Sequence, residues 1–266
     1  MIVIKSDREI EGMKEAGRMV AKTHLAIQRV LRPGLTTLQI NDFAEKFMAY
    51  KDCLPAQLGY EGFPYALCTS VNDEVCHGFP SERILEDGDI LSIDNVIQYK
   101  GFLADSCWSY GIGKVSDEDQ ELLEVTEKAL YLGVEAAQVN NRLIEIGKAI
   151  QPFVEANGFS VVRQFVGHGI GKKMHEDPQI LHYVSKFKGP RLRENMVITV
   201  EPMVNVGTWE TKLDANGWVA RTKDGKKSCQ FEHTFAIRKD GPEILTRQEE
   251  TNLTSEEQEW IDSYPL

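Results

Sequence analysis

The hydrophobic pattern changes period several times along the chain. Ser6-Asp-Arg-Glu9 has the form of a capping box, in which side chains satisfy the free backbone N–H groups of a helix start. Ile10, Met13, Val20, Ile27 and Leu31 then follow a helical stripe that Pro33-Gly34 stops. Thr36-Thr-Leu-Gln39 opens a second helix with the apolar face Ile40, Phe43, Ala44, Phe47 and Met48. From about residue 65 to 112, short apolar runs broken by Gly, Pro, Asn and Asp predict strands. The pattern then repeats. Ser116-Asp-Glu-Asp119 can cap a helix bearing Leu122, Thr126, Ala129, Leu130, Gly133 and Ala137. Another helix, with Leu143, Ile146, Ile150, Phe153 and Val154, follows Asn140-Asn141. Strand-like runs come at 159–166, 196–206 and 229–238, and Thr254-Ser-Glu-Glu257 can start a short last helix. Helix, helix, strands thus occurs twice. The expectation is an α/β chain forming a single domain over 1–266, with halves of about 1–114 and 115–266.

Composition narrows the class. Of 266 residues, 42% are hydrophobic, ordinary for a globular protein with ample core. The formal net charge of -11 and the lack of a basic block argue against a nucleic-acid binder. The five cysteines are odd in number and contain no Cys-x-x-Cys. A reducing compartment therefore fits better than a disulfide framework. No signal-like or membrane-spanning apolar run occurs, so a complete, cytoplasmic chain is expected.

Four carboxylates and one histidine stand in apolar or glycine-rich settings where a charge is costly. Asp94 lies in Ile-Leu-Ser-Ile-Asp-Asn-Val-Ile, Glu201 in Val-Ile-Thr-Val-Glu-Pro-Met-Val, and Glu232 in Gln-Phe-Glu-His-Thr-Phe. Asp105 lies in a second apolar run and His168 in Gly-His-Gly-Ile-Gly. Buried carboxylates need a cation or a tight hydrogen-bond network. A hairpin turning at Tyr99-Lys100 would set Asp94 directly opposite Asp105, as a cation-bridged pair; two exposed strand aspartates are the plainer alternative. Glu201 closes a strand run before Pro202. Glu232 is expected mid-strand, with His233 on the opposite face. Neither a dinucleotide fingerprint nor a phosphate loop is present, since position 172 is Lys and no Gly-x4-Gly-Lys-Ser/Thr occurs. His175, seven residues beyond His168, adds weight to that imidazole. His77, in the turn-rich Val-Cys-His-Gly-Phe-Pro, could be structural or could hold or protonate a substrate. Together these residues point to a hydrolase using divalent metal.

Five segments then carry a resemblance over nearly the whole chain, in order. They are Ser70-Val-Asn-Asp-Glu-Val-Cys-His-Gly-Phe-Pro80, Gly88-Asp-Ile-Leu-Ser-Ile-Asp94, Gly167-His-Gly-Ile-Gly171 with His175-Glu176, Val200-Glu-Pro-Met203 and Gln230-Phe-Glu-His-Thr234. The chain resembles the methionine aminopeptidases of the bacterial, type I kind. The resemblance implies the pita-bread fold, a pseudo-twofold α/β (α+β) domain with antiparallel sheet, outer helices and a metal site between the halves. It implies two divalent ions (Mn, Fe, Co or Zn). Asp94 would hold one, His168 and Glu201 the other, and Asp105 and Glu232 would bridge both around a shared water or hydroxide. Glu201 would also shuttle the proton, and His77 and His175 would contact the substrate. Tyr60, Phe63, Cys68 and Trp218 would line a methionine pocket, for which ordinary core packing is the alternative. Methionine would leave when the second residue is small.

A monomer acting on nascent chains is expected; a transient ribosome contact rests on the substrate class alone, and the acidic charge does not favour it, while charge and hydropathy leave neither nucleic acid nor membrane as partner. The chain departs from the family at Asn95-Val96, where a small residue and Thr are common, at Ser106-Cys107-Trp108, and at Met174. The 31 residues from Glu201 to Glu232 leave no room for the type II helical insertion. Two rivals are a proline-specific aminopeptidase of the same fold, which usually carries an extra N-terminal domain, and a non-catalytic binding protein, which typically loses ligands.

Overall fold

The computed structural model describes residues 1–266. The first half opens with helices α1 (Asp7–Val30) and α2 (Thr37–Tyr50). Strands β1 (Leu54–Pro55), β2 (Cys68–Val71), β3 (Glu74–Cys76), β4 (Ile90–Tyr99) and β5 (Phe102–Gly111) follow. The second half repeats the order with α3 (Asp117–Ala136) and α4 (Ile144–Ala156). It continues through β6 (Ser160–Val161), β7 (Gly167–Gly169), β8 (Glu176–Ile180), β9 (Val197–Val200) and β10 (Met203–Asn205). Strands β11 (Thr211–Leu213), β12 (Ala220–Thr222), β13 (Ser228–Gln230), β14 (His233–Arg238) and β15 (Gly241–Ile244) precede α5 (Ser255–Ser263).

Helix starts follow the side-chain chemistry. Ser6/Glu9, Thr36/Gln39, Ser116/Asp119 and Thr254/Glu257 each form a reciprocal capping box. Each cap stabilises its helix by about 1 kcal/mol by satisfying N–H groups that the helix leaves free. Two apolar clusters lie behind the site. One packs Phe43, Phe47, Leu67 and Leu91 in the first half, and the other packs Leu122, Ile146, Ile198 and Phe235 in the second.

All strand pairings are antiparallel. β4 is flanked by β5, β2 and β1, and the largest sheet runs β15-β14-β9-β7-β8. The halves meet at several places, among them two strand contacts. β12 pairs with β3, and β5 runs beside residues 230–234. There the Glu232 N–H donates to the Cys107 carbonyl (2.7 Å), the Ser106 hydroxyl to the Glu232 carbonyl (2.7 Å), and the Thr234 hydroxyl to the Asp105 carbonyl (2.7 Å).

Two expectations need correction. In the β4–β5 hairpin, Tyr99 pairs with Phe102, so the turn is Lys100-Gly101 and not Tyr99-Lys100. Both central residues have positive φ (50° and 83°), the demand that Gly101 meets and a Tyr-Lys turn would not. The register therefore pairs Asp94 with Cys107 and Asp105 with Val96. A displacement of two residues keeps both aspartates on one face but sets them diagonally. The second correction concerns the long second-half strands. The 159–166 run is strand only at Ser160–Val161. The 196–206 run breaks at Glu201-Pro202, and the 229–238 run breaks at Phe231-Glu232, so Glu232 is not mid-strand. Pro202 has no N–H to give a ladder, which forces one interruption. The other lies beside it, because β9 pairs with β14 (Val200 with His233) and β10 with β13 (Met203 with Gln230). Carried across the gap, that register puts Glu201 opposite Glu232.

Candidate metal centre and substrate pocket

All eleven residues nominated from sequence line one cavity of roughly 870 Å³ between the halves. Its floor is the carboxylate–imidazole group. Ligand atoms of Asp105, His168 and Glu232 lie within 4.8 Å of one another. His168 Nε2 is 3.7 Å from Asp105 Oδ2 and 3.6 Å from Glu201 Oε1. Asp94 stands beside this group, diagonal to Asp105 on the hairpin.

Charge is poorly balanced here. His168 is the only basic side chain within ion-pair distance of the four carboxylates, and burial, with His175 nearby, lowers it to about 4. Burial lifts the Asp94 carboxyl to about 6 and that of Glu201 to about 8. Asp105 and Glu232 are raised well above the usual range, first by burial and then by the carboxylates around them. Asp94 Oδ1, Asp105 Oδ1 and Glu232 Oε1 are buried without any hydrogen-bond partner. Hard oxygen donors left unsatisfied around one neutral imidazole suit divalent cations such as Mn, Fe, Co or Zn. The residues fit such a group.

Supporting residues that sequence reasoning missed hold the second-half candidates His168 and Glu201. The Thr199 hydroxyl donates to Glu201 Oε1 (2.8 Å) and accepts the His168 N–H (3.0 Å). Buried His182 accepts the Glu201 N–H through Nε2 (3.0 Å), and burial lowers it to about 3, so it stays neutral. Gln230 reaches Glu201 Oε2 at 3.4 Å. Thr199 shared a signal with its ligand: it lies two residues before Glu201 on the same strand face. Val96, the hydroxyl-free departure, packs directly opposite Asp105, whose Oδ1 has no partner.

Two more histidines border the floor. His77 has φ 56°, a left-handed conformation that aims its ring into the cavity at the end of β3. It stands edge-on to Trp218 (6.1 Å) and Phe165 (5.6 Å), and burial lowers it to about 4. His175 stands edge-on to His168 at 4.4 Å, and its Nδ1 meets the Tyr60 hydroxyl at 2.8 Å. Tyr60, expected only as pocket lining, thus also holds an imidazole. Phe63 is 5.2 Å from Trp218 in an edge contact, and Cys68 lies directly across the ladder from Asp94. Aromatic edges and a thiol make a wall suited to a thioether. Met174 and Phe165 also reach the cavity.

A carboxylate-rich candidate metal centre between two matched α/β halves points to the class, and comparison gives the family. The model of metallopeptidase family M24 matches residues 11–239. Methionine aminopeptidase 1 of Bacillus subtilis strain 168 is 48% identical over 247 residues, covering 93% of this chain and 100% of the relative. The crystal structure of methionine aminopeptidase from Rickettsia prowazekii matches with a TM-score of 0.91 at 40% identity, over 93% of this chain and 100% of that one. A prolidase from Pyrococcus horikoshii OT3, at 22% identity, covers 96% of this chain and 66% of its own with a TM-score of 0.74, and shares the fold alone. The chain belongs to metallopeptidase family M24, and within it to the methionine aminopeptidases of bacterial type, with their pita-bread fold.

Proposed function

We propose that this protein removes the N-terminal methionine from polypeptides whose second residue is small, with the two halves acting as one catalytic domain. The observation that carries the reading is the group of unpaired, buried carboxylate oxygens beneath an aromatic and thiol-lined cavity. Two divalent ions held by Asp94, Asp105, His168, Glu201 and Glu232 would supply water activation at neutral pH and Lewis-acid polarisation of the scissile carbonyl. The chain's own groups do the rest. Glu201, fixed through Thr199, is the proton shuttle. The Tyr60 hydroxyl, whose pKa burial raises, donates to His175 Nδ1 and leaves the Nε2–H free for the substrate carbonyl or amide. His77, held beside Phe165 and Trp218, contacts the substrate as well. Phe63, Cys68 and Trp218 exclude water from the methionine side chain, together with the ring of Tyr60. Free, buried cysteines fit a reducing cytoplasm. Nascent chains are the natural source of the substrate, which would place its work near the ribosome. No helix is long and apolar enough to cross a membrane.

The test is hydrolysis of Met-Gly-Ser, Met-Lys-Ser and Gly-Pro peptides by metal-loaded protein. Cleavage of Met-Gly-Ser alone supports the proposal. Preference for Gly-Pro would move the chain to the proline-specific activity of its more distant structural relatives.

A further inference from the structure

We propose that Lys5, in the segment before α1, is a positioning residue of the active site, acting through Glu176 on the loop that carries His175. The inference rests on the reading of His175 as a substrate-contacting group. β7 and β8 form a hairpin with His168 on one strand, and the connecting loop 170–175 ends in His175. The placing of the His175 imidazole therefore depends on the shape of that loop.

That loop is closed by a carboxylate. Glu176 Oε1 accepts the N–H groups of Lys172 (2.9 Å) and Lys173 (3.3 Å). Its other oxygen, Oε2, takes the Lys5 ammonium at 2.5 Å. Lys5 comes from 171 residues away, and its side chain is only 3% exposed. The Lys5 N–H donates to the Asn195 carbonyl (2.9 Å), so the segment is anchored by backbone as well. Gly171 makes room for the ammonium, since a Cβ at that position would collide with Lys5 Nζ. Further out, the amino group of Met1 pairs with Asp177, and Met1 and Val3 reach the cavity rim.

A buried ion pair is a poor way to gain stability, because desolvation offsets most of the attraction; what it does well is select one geometry. Here the geometry selected is that of the turn directly before His175. Tyr60 holds the ring of His175 from the other side, so ring and backbone are fixed by separate contacts.

The test compares Lys5→Met, Lys5→Arg, the double variant Lys5→Met/Glu176→Gln, and Lys14→Met, which removes a comparable lysine–glutamate pair at the surface. The double variant leaves no unpaired buried charge and keeps an amide oxygen for the two N–H groups. It carries the test if Lys5→Met alone does not fold. Readouts are kcat and KM on Met-Gly-Met-Met, metal stoichiometry, and histidine ring resonances of the metal-free protein. The expected result for Lys5→Met is a kcat loss on the order of tenfold to a hundredfold, with smaller change in KM and unaltered stoichiometry. The His175 resonances should shift while those of buried His24 and His233 stay, and Lys5→Arg should recover part of the loss. Lys14→Met should behave as the parent. A parental kcat and unmoved His175 resonances in both the single and double variants would overturn the proposal. If the parent protein itself released no methionine, the functional reading would fall, and the resonance shifts would still decide whether Lys5 positions His175.

Discussion

The site contains two carboxylate pairs, and they are built in opposite ways. Asp94 and Asp105 project from an unbroken hairpin, diagonal to each other, on strands whose ladder is complete from Ile90–Gly111 to Tyr99–Phe102. Glu201 and Glu232 project from two adjacent strand breaks and would face each other directly if the ladder continued. Like charges placed directly opposite destabilise a sheet. The first pair eases this by offset, and the second by giving up local hydrogen bonding and recruiting Thr199, His182 and Gln230. Regular backbone thus fixes the first pair, whereas side chains hold Glu201 and the Cys107 carbonyl takes the Glu232 N–H.

The largest effect expected from this contrast is loss of charge in either pair. Asp105→Asn and Glu232→Gln should each lower kcat/KM roughly a thousandfold, about 4 kcal/mol of transition-state stabilisation. Circular dichroism should show both still folded, because removing a repulsive buried charge does not cost structure. A large loss from one pair alone would break the symmetry between them.

Support should matter more for the second pair. Thr199→Val removes the hydroxyl that joins His168 to Glu201, and steady-state kinetics should show a loss on the order of tenfold to a hundredfold. On the hairpin, Val96→Thr offers a hydroxyl beside Asp105, and calorimetry should read it as a modest gain in metal affinity.

Metal removal should expose the carboxylates through pH. Burial raises Glu201 from 4.5 to about 8 and Asp94 from 3.8 to about 6 in the metal-free protein. At these carboxyls the unfolded chain binds fewer protons than the folded one. Buried neutral histidines, lowered from 6.5, act in the opposite sense below about pH 6.5, so the carboxyl effect stands clear only above it. Metal-free stability should therefore fall as pH rises from about 6.5 to about 8. Bound metal needs the ionised forms, so added Mn should raise Tm more at about pH 8 than at about pH 6. Equal Tm gains at the two pH values would contradict the charge account.

The smallest effect concerns the turn that sets the hairpin register. Gly101→Ala places a side chain at φ 83° with no steric contact nearby, so only backbone strain enters. Urea denaturation should show a cost of about 1 kcal/mol with activity nearly intact.

Much of this was legible in the sequence where chemistry is local. Ser6/Glu9 and Thr254/Glu257 announce helix starts because a cap needs only residues three apart. The four carboxylate candidates stand out because Asp and Glu are rare within apolar runs. Register was harder, since a turn misplaced by one residue moves each cross-strand partner by two, as happened at Lys100-Gly101. Pro202 announces the strand break at Glu201, whereas the one at Glu232 is hidden because the surrounding residues remain apolar and β-forming. His182 carries no sequence signal at all, since its role depends on a partner brought by the fold.

The most direct measurement is release of free methionine from Met-Gly-Met-Met and Met-Lys-Met-Met by metal-stripped protein, with Mn, Co, Fe or Zn restored in turn, beside Asp105→Ala. Metal-dependent release from the glycine peptide only, absent in Asp105→Ala, is the result predicted for carboxylates of both halves joined in one centre. Folded, metal-binding protein that releases no methionine with any metal, or an Asp105→Ala variant as active as its parent, would contradict it.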